Sequence, residues 1–452
     1  MGNIKAGFCR LTVNPPLGIH VVGLYEERVA KEILDEIAVT AVAFDDGVKK
    51  AVIISADLVF IRTRDADAYR NLISEYCNLP LEAIFLHCTH THGGPAVGFS
   101  EEITCRSVPA YDEMFGLALR DCAYNALQDL KPAALSTSAG EVHDVSFVRR
   151  YFMKDGSVRT NPPIGHPDIA GPVSKTNDTV NLVKIERENA ETILIVNFGV
   201  HPCSHAVEAI TADYPYFVRT TLEKALDNVK CMFLTAFEGD VGCTDRRPLK
   251  GDWDLRYGYK RTQHIGRAIA GAVLQICTLT QPVENTTIAY AQDIIRLPSF
   301  QENDKLEEAK KIVALYHDGR LDEIIVGDGN RDNIPGYETE RTIVIAEADR
   351  RVQLEHGPEF FDQLASAVRI GDIVFAGLPG EPFAEIGMRI LDKSDYQMTV
   401  LCCITNGGTT YYPTSIAYEH GGYESRCSFL RKGSDDILVD RLSKLIQNLK
   451  DY

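Results

Sequence analysis

The sequence predicts an α/β protein with a mixed, largely parallel sheet flanked by helices, plus one helical insertion. Three observations lead there. Short runs rich in β-branched residues are apolar throughout instead of alternating, as strands buried on both faces are. Stretches of helical periodicity separate them, and strands that alternate with helices indicate parallel pairing. Glycine, proline or polar residues end the runs.

Taken along the chain, Ala51-Val52-Ile53-Ile54-Ser55 is the first buried strand, and a helical pattern over 64–77 follows it. Ala83-Ile84-Phe85-Leu86-His87-Cys88 is the second strand, with a helix over 111–130 behind it. Ile193-Leu194-Ile195-Val196-Asn197-Phe198 and Met232-Phe233-Leu234-Thr235-Ala236 are strands. They are separated by a helix that starts at Tyr214-Pro215 and followed by one over 255–276. Ile373-Val374-Phe375-Ala376 and Thr399-Val400-Leu401-Cys402-Cys403-Ile404 complete the set. Helices are expected over 383–391, just after Pro382, and over 435–449. Residues 300–357 differ. Leu306-Glu307-Glu308-Ala309-Lys310-Lys311-Ile312-Val313 is amphipathic and charged, and a Gly/Asp-rich turn follows around Gly327-Asp328-Gly329-Asn330. This segment reads as a helical insertion packed on the core. No Pro/Ser-rich linker divides the chain, so residues 1–452 are expected to form a single domain.

The 452 residues are 45% apolar and 25% charged, an ordinary globular balance. The 47 basic and 64 acidic residues leave a net charge of −17, which disfavours nucleic acid and acidic membranes as partners. No apolar run approaches the roughly 18–20 residues that span a bilayer, so no stable membrane anchor is expected. The N-terminus lacks a signal-peptide pattern. None of the twelve cysteines forms a C-x-x-C, and they read as reduced thiols of a cytoplasmic protein. The expected partner is a small-molecule substrate. A homo-oligomer is compatible with the sequence.

Chemistry collects where the strands end. Thr89-His90-Thr91-His92-Gly93-Gly94-Pro95, Gly199-Val200-His201-Pro202-Cys203-Ser204-His205, Phe237-Glu238-Gly239-Asp240, Gly377-Leu378-Pro379-Gly380-Glu381-Pro382 and Thr405-Asn406-Gly407-Gly408 each follow a strand. Ligands of open α/β sheets bind beyond the carboxyl ends of strands, so imidazoles and carboxylates should converge at one edge. His90 and His92 are two apart, on one face of an extended backbone. Both could bind one metal, or one could bind while the other donates to a substrate oxygen. Glu381 precedes Pro382, a good first helical residue, and so sits at a helix start. Neutral imidazoles plus a carboxylate suit Zn²⁺ in an open, catalytic site.

These motifs resemble those of the neutral (non-lysosomal) ceramidase family, over its N-terminal catalytic domain. Thr89-His90-Thr91-His92-Gly93-Gly94-Pro95 is similar to the family's T-H-T-H-S-G-P. Asn197-Phe198-Gly199-Val200-His201-Pro202 with Ala212-Asp213-Tyr214-Pro215 resembles its second histidine motif. Pro379-Gly380-Glu381 matches its P-G-E segment, and the loop 406–414, with Tyr423-Glu424 beyond, its tyrosine-bearing segment. The resemblance implies one zinc per chain, held by His90, His201, Glu381 and Tyr411. It implies that His92, Arg149 and Tyr423 hold or polarise the scissile carbonyl, with Arg150 the alternative to Arg149. Gly242 stands where the family's G-D-V-S-P-N carries serine, which disfavours a serine nucleophile and leaves room beside the metal. The chain ends 41 residues beyond Tyr411, too few for the family's immunoglobulin-like domain.

The expected activity is zinc-dependent hydrolysis of an amide in a small or amphiphilic substrate through activated water. The alternatives are a zinc esterase or lactonase acting on a polar ester, a nucleophilic Cys243, and a non-catalytic ligand-binding relic.

Overall fold

The structure is a computed structural model and describes residues 4–24, 27–98, 105–248, 256, 258–301, 304–324, 340–408 and 410–451. Three sequence expectations fall outside those residues: the turn at 327–330, Leu255 at the head of a helix, and Thr409 in the tyrosine-bearing loop.

In chain order the main elements begin with β1 Lys5–Thr12, β2 Ala38–Asp45, β3 Lys50–Ala56, α1 Thr63–Cys77, β4 Ile84–Cys88, α2 Pro109–Gln128 and β5 Lys131–Glu141. Next come β6 Thr179–Arg187, β7 Thr192–Phe198, α3 Tyr214–Ala225, β8 Val229–Thr235, α4 Tyr259–Ile276 and β9 Ile288–Pro298. The remainder are α5 Leu306–His317, α6 Glu340–Gln353, β10 Phe360–Ile370, β11 Ile373–Gly377, α7 Ala384–Leu391, β12 Met398–Cys402 and α8 Ser434–Asn448. The larger sheet has the order β8-β7-β6-β5-β1-β2-β3-β4, with Gln281–Pro282 added alongside β5. The smaller runs β9-β10-β11-β12.

The α/β class, the mixed sheet and its flanking helices match the expectation from sequence. The sense of the strands does not. Within these two sheets only β3–β4, β7–β8 and β11–β12 pair parallel, and the other neighbours are antiparallel. The apolar runs are uninterrupted because the sheets pack on each other, not because every strand is wound through a helical crossover. Along β2, Val42 and Phe44 share a core with Ile53, Phe85, Val368, Phe375 and Val400, where the two sheets meet. Val39, Ala41 and Ala43 point the opposite way, into the core that holds Phe115, Leu119 and Ala123 of α2. The alternation of side chains therefore serves two apolar partners, and each fully buried Val, Leu, Ile or Phe contributes about 1.5–3 kcal/mol.

The other helices follow the same logic. Val218 and Leu222 of α3 and Ile265 and Ile269 of α4 cover Leu182, Val196 and Phe233. Leu438 and Leu442 of α8 share a core with Ala289, Ala365 and Ala367 of the smaller sheet. Between β9 and β10 the chain leaves the sheet to form α5 and α6, which pack on one another. Ile343 and Ala346 of α6 also pack against Tyr423. Among the described residues no helix is long and apolar enough to cross a membrane. All twelve cysteines are free thiols.

Candidate metal centre and active site

The three parallel pairs matter because their carboxyl ends meet. Buried polar side chains bind them together. His87 of β4 donates from Nδ1 to the Cys403 carbonyl (2.8 Å) and accepts at Nε2 from the Thr235 N–H (3.0 Å). Burial pushes its pKa down to about 3, so the ring stays neutral, as one donor and one acceptor require. Asn406 accepts the Leu86 N–H on Oδ1 (2.9 Å) and donates to Ser366 (2.8 Å). Asn197 donates to the carbonyls of Leu234 (3.1 Å) and Leu401 (3.0 Å). The ends of β4, β7, β8 and β12 are thus held within one crevice.

His90 leaves β4 with φ of 69°, a left-handed conformation that a non-glycine residue adopts only at a cost. Its Nδ1 donates to the Val59 carbonyl at 2.7 Å, which leaves Nε2 as the free electron pair. His201 beyond β7 does the same, donating from Nδ1 to the Glu238 carbonyl at 3.1 Å. A hydrogen bond of this type from the other ring nitrogen fixes the tautomer of a metal-binding imidazole. Glu381 enters on the short strand Gly380–Pro382.

The three free atoms form a near-equilateral triangle. His90 Nε2 to His201 Nε2 is 3.3 Å, His90 Nε2 to Glu381 Oε2 is 3.3 Å, and His201 Nε2 to Glu381 Oε2 is 3.1 Å. A tetrahedral zinc with bonds of about 2.0–2.1 Å places neighbouring ligand atoms about 3.3–3.4 Å apart. Despite its two close nitrogens, Glu381 Oε2 makes no hydrogen bond. Electrostatics agree with a positive charge at the centre of the triangle. Burial disfavours the His90 imidazolium, but the Glu381 carboxylate outweighs it and raises the pKa to about 9. Burial likewise acts to raise Glu381, and the two imidazoles overcome it, holding the carboxyl well below its usual range. The donor set and its spacing fit a divalent cation such as zinc.

His92 stands beside this triangle, its ring centroid 5.0 Å from that of His90 and 5.7 Å from that of His201. Neither ring nitrogen has a hydrogen-bond partner. Burial, reinforced by the neighbouring imidazoles, keeps its pKa well below the usual value, so the ring is neutral with one N–H to donate. Arg149 reaches in from the far side. Its Nη1 lies 3.3 Å from His201 Nε2, while Nε donates to Glu424 (2.7 Å) and Nη2 to the Gly239 carbonyl (2.8 Å). Arg150 turns away, donating to the carbonyls of Ala417 and Gly421 and stacking over Phe383. Of the two arginines, only Arg149 faces the triangle. Tyr411 pairs directly opposite Glu381 in a two-strand ladder. Its ring lies 5.5 Å from that of Tyr423 and 5.3 Å from the Arg149 guanidinium.

Gly242 and Cys243 take definite places. A side chain at Gly242 would not face open space, since its Cβ would lie 3.3 Å from the Arg149 Cβ. The volume left by the absent serine is bounded by arginine. Cys243 is buried in the helix-side core, its Sγ 3.7 Å from Thr244 Oγ1.

One residue was missed. Glu238 is fully buried, accepts the Cys403 thiol on Oε1 (3.3 Å), and places Oε2 3.7 Å from His201 Nδ1 with no hydrogen-bond partner. It belongs with His90, His201 and Glu381 to a group whose ligand-type atoms lie within 4.8 Å of one another. The strand-end rule that singled out Glu381 applied to Glu238 as well, because it too follows a buried strand.

Backbone packing locks this arrangement. A Cβ at Gly239 would sit 2.3 Å from the Glu381 carbonyl oxygen, closer than any real contact. Gly239→Ala is therefore expected to push Glu381 out of the triangle and weaken the affinity for an added divalent cation about 10–100-fold, measured by competition with a chelator.

Comparison with known structures sets the architecture in context. No protein-family model matches the sequence, and no curated protein does either. The fold superposes on a ceramidase complexed with C2, with a TM-score of 0.72 and 15% identity, covering 99% of this chain and 75% of that one. It superposes equally on neutral ceramidase from Pseudomonas aeruginosa, with a TM-score of 0.72 and 16% identity over 99% of this chain and 75% of that one. Over nearly its whole length, the chain has the fold of neutral ceramidase.

Proposed function

We propose that the protein is a zinc-dependent amidase with ceramidase-like chemistry, carrying one zinc per chain on His90, His201, Glu381 and Tyr411. The observation that carries this reading is the triangle of ligand-type atoms 3.1–3.3 Å apart, each oriented by a second hydrogen bond or a neighbouring strand. The fold shared with neutral ceramidase supports the choice of an amide bond. Zinc, when bound, supplies Lewis acidity and lowers the pKa of a water from about 15.7 to about 7.

The chain's own residues do the rest. His92, neutral and without a partner, donates its N–H to the carbonyl oxygen as negative charge develops there. Tyr423 offers a hydroxyl to the same oxygen. Arg149, held by Glu424, fixes the carbonyl end of the substrate and balances the added charge. Such donors are worth most in a buried, preorganised site. His92→Ala is expected to lower kcat by about 100–1,000-fold while the zinc content stays at one per chain. Free thiols throughout suit the cytoplasm, where the enzyme is placed by this reading.

The test is elemental analysis joined to hydrolysis. Purified protein should carry one zinc, lose amide hydrolysis on chelation and regain it on addition of zinc. A protein that hydrolyses amides equally well after complete metal removal would overturn the proposal.

A further inference from the structure

Beyond Glu381 the crevice opens into a cavity of about 160 Å3. Tyr411, Tyr423, Phe60 and Phe429 line it, as do Asp349 and Arg350 from α6. Ala346, Asp349 and Arg350 are spaced i, i+3, i+4, so one face of α6 forms this wall.

That wall is anchored. Glu347 pairs with Arg426 at 2.7 Å and with Arg351 at 3.0 Å. Arg350 donates to the carbonyls of Ser425 and Ser428 (3.2 Å each), and its guanidinium lies 3.8 Å from the centre of the Phe300 ring. Ile343 and Ala346 pack on Tyr423. The insertion thus walls one side of the space beside Glu381. A cavity of about 150 Å3 accommodates a single benzene ring, so the walled part of this one suits a compact group, and a long alkyl chain would have to leave it for solvent.

The wall is also polar. Arg350 is 2% exposed, and its Nε–H has no acceptor. Its nearest carboxylate, Glu347 at 4.0 Å, is already shared with two other arginines. Asp349 spends one oxygen on Gln353 (2.7 Å). A buried donor left without a partner costs about 1–3 kcal/mol, which a ligand's acceptor would relieve. We infer that this cavity is a specificity subsite for a compact acyl group ending in a hydrogen-bonding function, with Asp349 and Arg350 as the residues that select it.

The inference rests on the amidase reading but has its own test. Zinc-loaded enzyme is assayed on amides of one fluorogenic amine bearing acetyl, butanoyl, hexanoyl, decanoyl and hexadecanoyl groups. It is also assayed on a matched pair, succinamoyl and 4-methylpentanoyl, alike in shape but differing in polarity. The value of kcat/KM should fall at least about 100-fold between hexanoyl and hexadecanoyl, and favour succinamoyl over its apolar match by about tenfold or more. Asp349→Leu should bring that ratio towards one with zinc content unchanged, and Ala346→Phe should raise KM for the hexanoyl amide. Hexadecanoyl turned over as well as hexanoyl, or a wild-type ratio of one, would sink the inference. If zinc-loaded protein hydrolyses none of these amides, the amidase reading fails on its own. Calorimetric binding of succinamic, hexanoic and hexadecanoic acids then decides the subsite, which requires the first to bind and the last not to.

Discussion

Replacing His90 with alanine is expected to yield a protein that neither retains zinc nor hydrolyses amides, with kcat/KM reduced at least about 1,000-fold, equivalent to about 4 kcal/mol of transition-state stabilisation. His90 contributes one corner of a triangle whose sides are 3.1–3.3 Å. Removing it leaves three of the four proposed ligands, His201, Glu381 and Tyr411. At φ of 69° alanine retains the backbone cost of about 1–2 kcal/mol that His90 already pays, without the hydrogen bond from Nδ1 that holds it there. His90→Asn separates the two effects, since asparagine tolerates the left-handed region yet lacks the imidazole. Both variants should lose metal in elemental analysis, while the asparagine variant should show the smaller loss of thermal stability. Full activity in a zinc-free His90→Ala protein would mean that the reaction runs elsewhere.

The second large effect is on stability. Arg219 of α3 grips Asp57 with two hydrogen bonds, 2.9 and 2.7 Å, and their side chains are 5% and 1% exposed. Asp57 also accepts from the Ala38 N–H (2.9 Å) and from Thr89 Oγ1 (3.2 Å), one residue before His90. Arg219→Met strands a buried carboxylate and is expected to cost about 3–5 kcal/mol in denaturant unfolding. The double variant Asp57→Asn/Arg219→Met should recover a substantial part, because it removes the orphan charge as well as its partner. If the single variant loses less than about 1 kcal/mol, the pair is not holding the His90 strand end.

Much of the site was legible in the sequence because its chemistry sits at the ends of strands. A run such as Ile84–Cys88 must stop where its backbone leaves the sheet, and the residues just beyond point into the crevice whichever way its neighbours run. His90, His92, His201 and Glu381 are therefore found from local pattern alone. Strand sense was not legible. Burial on two faces leaves the same uninterrupted apolar run whether helices or a second sheet supply the cover, and here Phe44 and Phe375 meet between sheets. The choice between Arg149 and Arg150 was also beyond the sequence. Both arginines pair with Glu424, and only the tertiary position of His201, 3.3 Å from Arg149 Nη1, shows which one turns to the triangle. The role of α6 depends on packing across the insertion, which leaves no local signature.

The stitching of Leu86 to Asn406 spans 320 residues of chain. Contacts of such separation reward the chain only after a long loop has been closed. If the proposed zinc binds, its ligands come from parts of the chain as far apart as His90 and Glu381, so it would find a complete set of donors only once those parts have met.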